Sequence, residues 1–142
     1  IVDAIKYVEK KTRIKKDYFI SYDLNSKSVT GKSTGASIAL GMIALIENKD
    51  FNSFIITGAI NEQGDLLETG GLLIKILSVS KTPVKNIIVA SGQKTMTVYE
   101  QYNNRLLAKN INLFEYGEKL GVNYIEIKNI EEGILLTLNE KV

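Results

Sequence analysis

The chain has 142 residues, 24% of them charged and 44% hydrophobic, with a formal net charge of +2. That is one ordinary domain with an apolar core, and so even a balance gives no electrostatic pull toward nucleic acid or an acidic membrane. Cysteine and histidine are both absent, which excludes disulfides, thiol nucleophiles, Cys/His metal sites and Ser-His-Asp catalysis, and leaves proton transfer to lysine, tyrosine or a carboxylate.

The chain opens at Ile1 and not at Met, as a piece of a longer protein does, so a removed anchor or partner domain leaves no trace in it. No repeat, low-complexity tract or Pro/Gly-rich linker divides residues 1–142, and they read as one domain. No apolar run reaches the roughly 20 residues of a membrane span without interruption.

In chain order, Ile1, Ala4, Ile5 and Val8 share one helical face. The basic run KKTRIKK, Lys10–Lys16, ends that helix, where cations complement the helix dipole. A single run without aromatic interleaving is a solvated face and not a nucleic-acid stripe. Tyr18–Leu24 (YFISYDL) alternates as a strand does, and Asn25–Lys32 is a polar loop. Thr34–Glu47 is apolar nearly all round and predicts a helix buried in the centre of the fold. Phe54–Ile60 (FIITGAI) reads as a strand; NEQG then turns into a short second strand at Leu66–Glu68, a hairpin signal. Gly70-Gly71 breaks the chain before the helical run LLIKILSVS. Asn86–Ala90 (NIIVA) is an inner strand, Thr95–Leu120 carries one or two helices, Tyr124–Ile127 a strand and Ile130–Leu138 a closing helix. The fold class is therefore α/β (α+β): a mixed sheet and a β-hairpin flanked by helices.

The stretch SVTGKSTGAS, Ser28–Ser37, raises two readings. As a phosphate-binding loop it needs G-x-x-x-x-G-K-[ST], and the first glycine is replaced by Ser26. Nor does an apolar strand end in a Mg²⁺-binding acid, since FIITGAI runs into Asn61 and NIIVA into Ser91. As a nucleophile, Ser33 opens a helix after a glycine-containing loop, where main-chain N–H groups and the positive helix end stabilise an oxyanion. With histidine absent, a lysine can serve as its base if its ammonium is destabilised by burial. Lys75 lies in GGLLIKILSV among Leu72, Leu73, Ile74, Ile76, Leu77 and Val79. By pattern alone it either snorkels to solvent, the commoner arrangement, or is buried for function.

GKSTG at Gly31–Gly35 resembles the nucleophile motif of the Lon protease proteolytic domain. TGAINEQGDLLETGGLLIK, Thr57–Lys75, resembles its second motif: a Thr-Gly strand, a glycine turn, a second strand, a Gly-Gly pair, then a lysine. AIKYVEKKT before YFISYDL, then VKNIIVAS and VNYIEIKNIEEGILLTL, are similar to further Lon segments in the same order. The resemblance implies a serine peptidase domain lacking its first strands, with Ser33 as nucleophile and Lys75 as general base. It implies main-chain oxyanion donors near Lys32–Thr34, polypeptide substrates, a ring-like homo-oligomer, and no metal or organic cofactor. Any ATPase module or membrane anchor would lie outside this chain. Thr57 either orients the lysine amine or is satisfied by backbone.

Three departures accompany the resemblance. Lys32 stands before the serine where the family commonly has proline or an acid, and is expected to face solvent. Ala59 stands where an acid usually follows Thr-Gly, and Thr95–Leu120 is longer than its counterpart, as an added cap or contact surface would be. Ser37, one turn after Ser33, is an alternative nucleophile. Two rival readings remain. One is a binding or scaffold domain that kept the fold and lost efficient catalysis. The other is a nucleic-acid-binding module, because the Lon fold is similar to that of a ribosomal-protein domain superfamily; the near-neutral charge opposes it.

The failed phosphate-loop match has a direct consequence. Calorimetric titration with Mg²⁺-ATP should give no binding isotherm, and micromolar affinity would restore the nucleotide reading.

Overall fold

The computed structural model describes residues 1–21 and 31–141. In chain order these contain α1 (Val2–Thr12), α2 (Gly35–Glu47), β1 (Lys49–Phe51), β2 (Ile55–Ile56), β3 (Ala59–Ile60), β4 (Leu66–Leu67), α3 (Leu72–Ser80) and β5 (Asn86–Ala90). There follow β6 (Thr95–Tyr102), β7 (Arg105–Asn112), α4 (Leu113–Lys119), β8 (Asn123–Ile127), α5 (Ile130–Thr137) and β9 (Leu138–Glu140). β2, β5 and β8 form a parallel three-stranded sheet with β5 in the middle, and β1–β9, β3–β4 and β6–β7 are antiparallel pairs.

The alternation of β5 organises the layers. Successive strand side chains point to opposite faces. Ile87 and Val89 pack with Leu72, Ile76 and Val79 of α3 and Leu113 of α4. Ile88 and Ala90 pack with α1, α2 and α5 through Val8, Ala39, Ile43, Ile130 and Ile134. A central sheet covered by helices on both faces is the layer architecture expected of an α/β domain. Both crossovers out of the parallel sheet carry a helix, α3 between β2 and β5 and α4 between β5 and β8.

Local chemistry sets the ends of these elements. α1 carries Asp3 in its first turn and Lys10 and Lys11 in its last, matching the helix dipole, and Arg13 caps it in a left-handed conformation. Asn129 and Glu132 form a reciprocal capping box at the start of α5. In the β3–β4 hairpin, Asn61 Oδ1 accepts from the N–H groups of Gln63 and Asp65. Gly64 completes that turn at φ 87°, beneath the ring of Tyr7.

Several expectations need correction. Thr95–Leu120 is not one or two helices: it is the β6–β7 hairpin followed by the short α4. Asn103 and Asn104 both adopt positive φ, 46° and 61°, which makes the two-residue turn that a twisted hairpin requires. TMTVYEQY is also rich in β-branched and aromatic residues that favour strand. Phe54–Ile60 is not one strand: it bends at Thr57-Gly58, so β2 joins the parallel sheet and β3 the hairpin. α2 is core-facing but not enclosed, since Leu45 is 79% exposed. The closing helix stops at Thr137, and Leu138–Glu140 pairs with β1. Residues 18–21 of the expected Tyr18–Leu24 strand have no strand assignment. The rest of that segment, most of the Asn25–Lys32 loop and Ser26 lie outside the described residues.

A Cβ at Gly64 would approach Tyr7 Cε2 to 2.5 Å and Ile130 Cγ2 to 3.1 Å at a φ that side chains disfavour. Gly64→Ala should therefore destabilise the domain by about 2–4 kcal/mol, the sum of left-handed strain and overpacking. Urea denaturation measures this directly; a loss under about 0.5 kcal/mol, the usual scale of a surface change, would show that the Tyr7 contact is soft.

Candidate active site

The bend at Thr57-Gly58 is where three parts of the chain meet. The Gly58 N–H donates to Ser33 O (2.9 Å) and Gly58 O accepts from the Ala36 N–H (3.1 Å). The start of α2 is thereby stitched to the bend between β2 and β3. Gly58 is tightly packed on its other neighbour, β4: a Cβ there would lie 2.9 Å from Leu66 Cγ and Cδ1 and 3.2 Å from Leu67 O. Gly35 is similarly tight, with Ile60 N and Cγ2 each 3.2 Å from where its Cβ would be.

Ser33 sits in the turn ahead of α2 and is half-buried. Lys75 occupies the first turn of α3, also half-buried, beside the buried stripe of Leu72, Ile76 and Val79. Its ammonium nitrogen does not run out to solvent: Lys75 Nζ lies 2.9 Å from Thr57 Oγ1 and 2.7 Å from Thr69 Oγ1, as donor to both. Thr57 is 7% exposed, and its hydroxyl is engaged with the lysine. Ser33 and Lys75 border the same two adjoining clefts. One, of about 330 Å³, is walled by Ile55, Ile56, Val79 and Ile87. The other, of about 400 Å³, is bordered by Lys32, Ala59, Glu68, Thr69 and Gly70.

Burial pushes the Lys75 pKa below its ordinary value. Sequence neighbours explain less of the burial than the pattern suggested. Ile74 is 72% exposed and Leu77 39%, so the desolvating surface comes from the Thr57 bend and the Thr69 loop across the cleft as well as from α3.

The other expected residues fall out as follows. Lys32 is exposed. The Gly35 N–H is taken up by Lys32 O and the Ala36 N–H by Gly58 O, so main-chain donors aimed into the cleft have to come from residues before Gly35. Thr34 is the N-cap of α2, and its side chain makes no capping hydrogen bond. Ser37 is exposed and donates to Thr34 O at 2.8 Å. Ala59 does border the polar cleft, where an acidic group is supplied by Glu68 instead. Thr69 was missed by sequence reasoning: its only local mark is a place just before Gly70-Gly71, and its contact with Lys75 depends on how the loop folds back. Among the described residues, no cluster of three or more acidic side chains could hold a metal ion.

A parallel sheet flanked by helices, with a half-buried serine ahead of α2 and a partly desolvated lysine on α3 sharing clefts beside Thr57 and Thr69, is the frame of an α/β domain with a cleft-borne polar site. The profile of the Lon protease (S16) C-terminal proteolytic domain matches residues 5–112, and the chain belongs to that family. A comparison with curated proteins gave no match.

The lysine chemistry can be read directly. In protein labelled with ¹³C and ¹⁵N on lysine, Lys75 should titrate below the ordinary 10.5. A Lys75 that titrates at or above that value would mean its ammonium is well solvated, against the arrangement described.

Proposed function

We propose that this domain is a serine peptidase that cleaves peptide bonds through a Ser33–Lys75 dyad. The observation that carries the reading is the lysine: its pKa is depressed by burial, its amine is held by Thr57, and it borders the same clefts as Ser33. A neutral Lys75 Nζ takes the proton of Ser33 Oγ as that oxygen bonds to the substrate carbonyl carbon. The carbonyl electrons move onto its oxygen, and main-chain N–H groups of residues 32–34 at the head of α2 stabilise the charge. When the C–N bond breaks, the Lys75 ammonium returns the proton to the leaving amine. Water then releases the acyl group, with Lys75 again as base. The apolar cleft suits a peptide side chain and the polar cleft its main chain. Polypeptides are the proposed substrates and a homo-oligomer the proposed assembly; ATP dependence would come from a module outside this chain.

A fluorophosphonate probe, followed by peptide mass spectrometry, tests this. The adduct is expected on Ser33 alone, with a labelling rate that rises with pH as Lys75 loses its proton. Lys75→Arg should slow labelling by about 10²–10⁴-fold, the usual contribution of a general base, and flatten the pH profile, because guanidinium stays protonated. An adduct on Ser37, or none at all, would remove the dyad and leave a scaffold domain of this fold.

A further inference from the structure

Lys75 Nζ has two hydroxyl partners, and the family reading uses only Thr57. We infer that Thr69, held in place by Gln93, is a positioning residue for the Lys75 amine, acting with Thr57 to aim its lone pair at Ser33. This rests on the dyad reading and extends it to a second loop.

The argument starts from the valence of a neutral amine. Nζ then carries two N–H bonds and one lone pair. Thr57 Oγ1 at 2.9 Å and Thr69 Oγ1 at 2.7 Å accept the two hydrogens. The lone pair is left with one remaining tetrahedral direction, which is assigned to Ser33, the residue that borders both clefts with Lys75. With one acceptor, the amine rotates about the Cε–Nζ bond and the lone pair is averaged over several directions; with two it is fixed.

Thr69 can do this because its main chain is clamped. The Thr69 N–H donates to Gln93 Oε1 (3.1 Å), and Gln93 Nε2 donates back to Thr69 O (2.7 Å). One side-chain amide thus pairs with the loop as a neighbouring strand would. Gln93 is itself anchored: Tyr124 Oη, on a residue 6% exposed in β8, donates to Gln93 O at 2.7 Å. A chain of hydrogen bonds therefore runs from the central sheet through Gln93 and Thr69 to Lys75. The charged groups bordering the same cleft are Lys32 and Glu68, both exposed, and neither is among Lys75's hydrogen-bond partners.

The two hydroxyls accept more strongly from an ammonium than from an amine. Removing one therefore lowers the lysine pKa further while it frees the lone pair. Thr69→Val keeps the shape and loses the hydroxyl; Thr69→Ser keeps the hydroxyl. Each is compared with wild type by fluorophosphonate labelling of Ser33 across pH and by NMR titration of Lys75. The expected result for Thr69→Val is a fall of about tenfold or more in the high-pH labelling rate, the scale of one hydrogen bond to an ionisable group, together with a lower Lys75 pKa. Thr69→Ser should restore both. A Thr69→Val protein with wild-type rate and titration would overturn the inference, as would a Thr69→Ser protein as slow as Thr69→Val. Wild-type protein that is never labelled at Ser33 defeats the dyad itself and this inference with it, and that outcome is distinguished because it does not depend on residue 69.

Discussion

Gly58 is held from both ends, its N–H on Ser33 O and its carbonyl on the Ala36 N–H, and the rest of the site depends on that pair of hydrogen bonds. Because Gly35 has no side chain, the head of α2 can come down onto the main chain of β3, where a Cβ would lie 3.2 Å from Ile60 N. The Thr57-Gly58 bend releases β2 from β3, so a short strand of the parallel sheet turns directly into the β3–β4 hairpin. The hairpin carries the chain round to Thr69, and Thr57 beside Gly58 meets Lys75. One main-chain docking contact thus sets the relative position of all three segments.

The cost of the arrangement falls on Lys75. An amine withdrawn from water has its pKa held below the ordinary value, because it loses charge stabilisation. The hydroxyls of Thr57 and Thr69 return part of it without bringing a carboxylate, whose negative charge would hold the lysine protonated. This is why threonine suits both positions: it satisfies the N–H groups of either protonation state and favours the cation only weakly. The apolar cleft of the site runs along β2, walled by Ile55, Ile56 and Ile87, and its polar neighbour opens past the Thr57 bend. Strand β5, whose residues Ile87–Ala90 are all buried, provides the rigid floor.

The β6–β7 hairpin answers to different constraints. Met96 and Ile111 at its base pack against the α3–α4 cluster. Tyr99, Tyr102, Leu106 and Leu107 farther out are exposed. It is held by eight residue pairs in register and by its Asn-Asn turn, with little core of its own.

How much of this was legible beforehand follows from what kind of signal each feature leaves. The helices α1, α2, α3 and α5 and the inner strand β5 were readable because their apolar periodicity or continuous apolar run depends on local spacing alone. Ser33 and Lys75 were readable as a pair through two short motifs. The β6–β7 hairpin was misread because only its base, around Met96 and Val98, alternates, while the outer half is exposed on both faces and has no period of two, and the Asn-Asn turn was passed over. The contact of Lys75 with Thr57 was one of two alternatives that the Thr-Gly motif left open, whereas its contact with Thr69 and the clamp of Gln93 on Thr69 were not legible in the sequence. Gln93 meets Thr69 across 24 residues. Sequence by itself determined which residue types were present to do chemistry, and, by lacking histidine and cysteine, that the base in any serine mechanism would have to be a lysine, a tyrosine or a carboxylate. Only the tertiary structure decided whether Lys75 snorkels or turns inward, because its environment is built by loops far away along the chain, and desolvation is a property of what packs around a group and not of its neighbours in sequence.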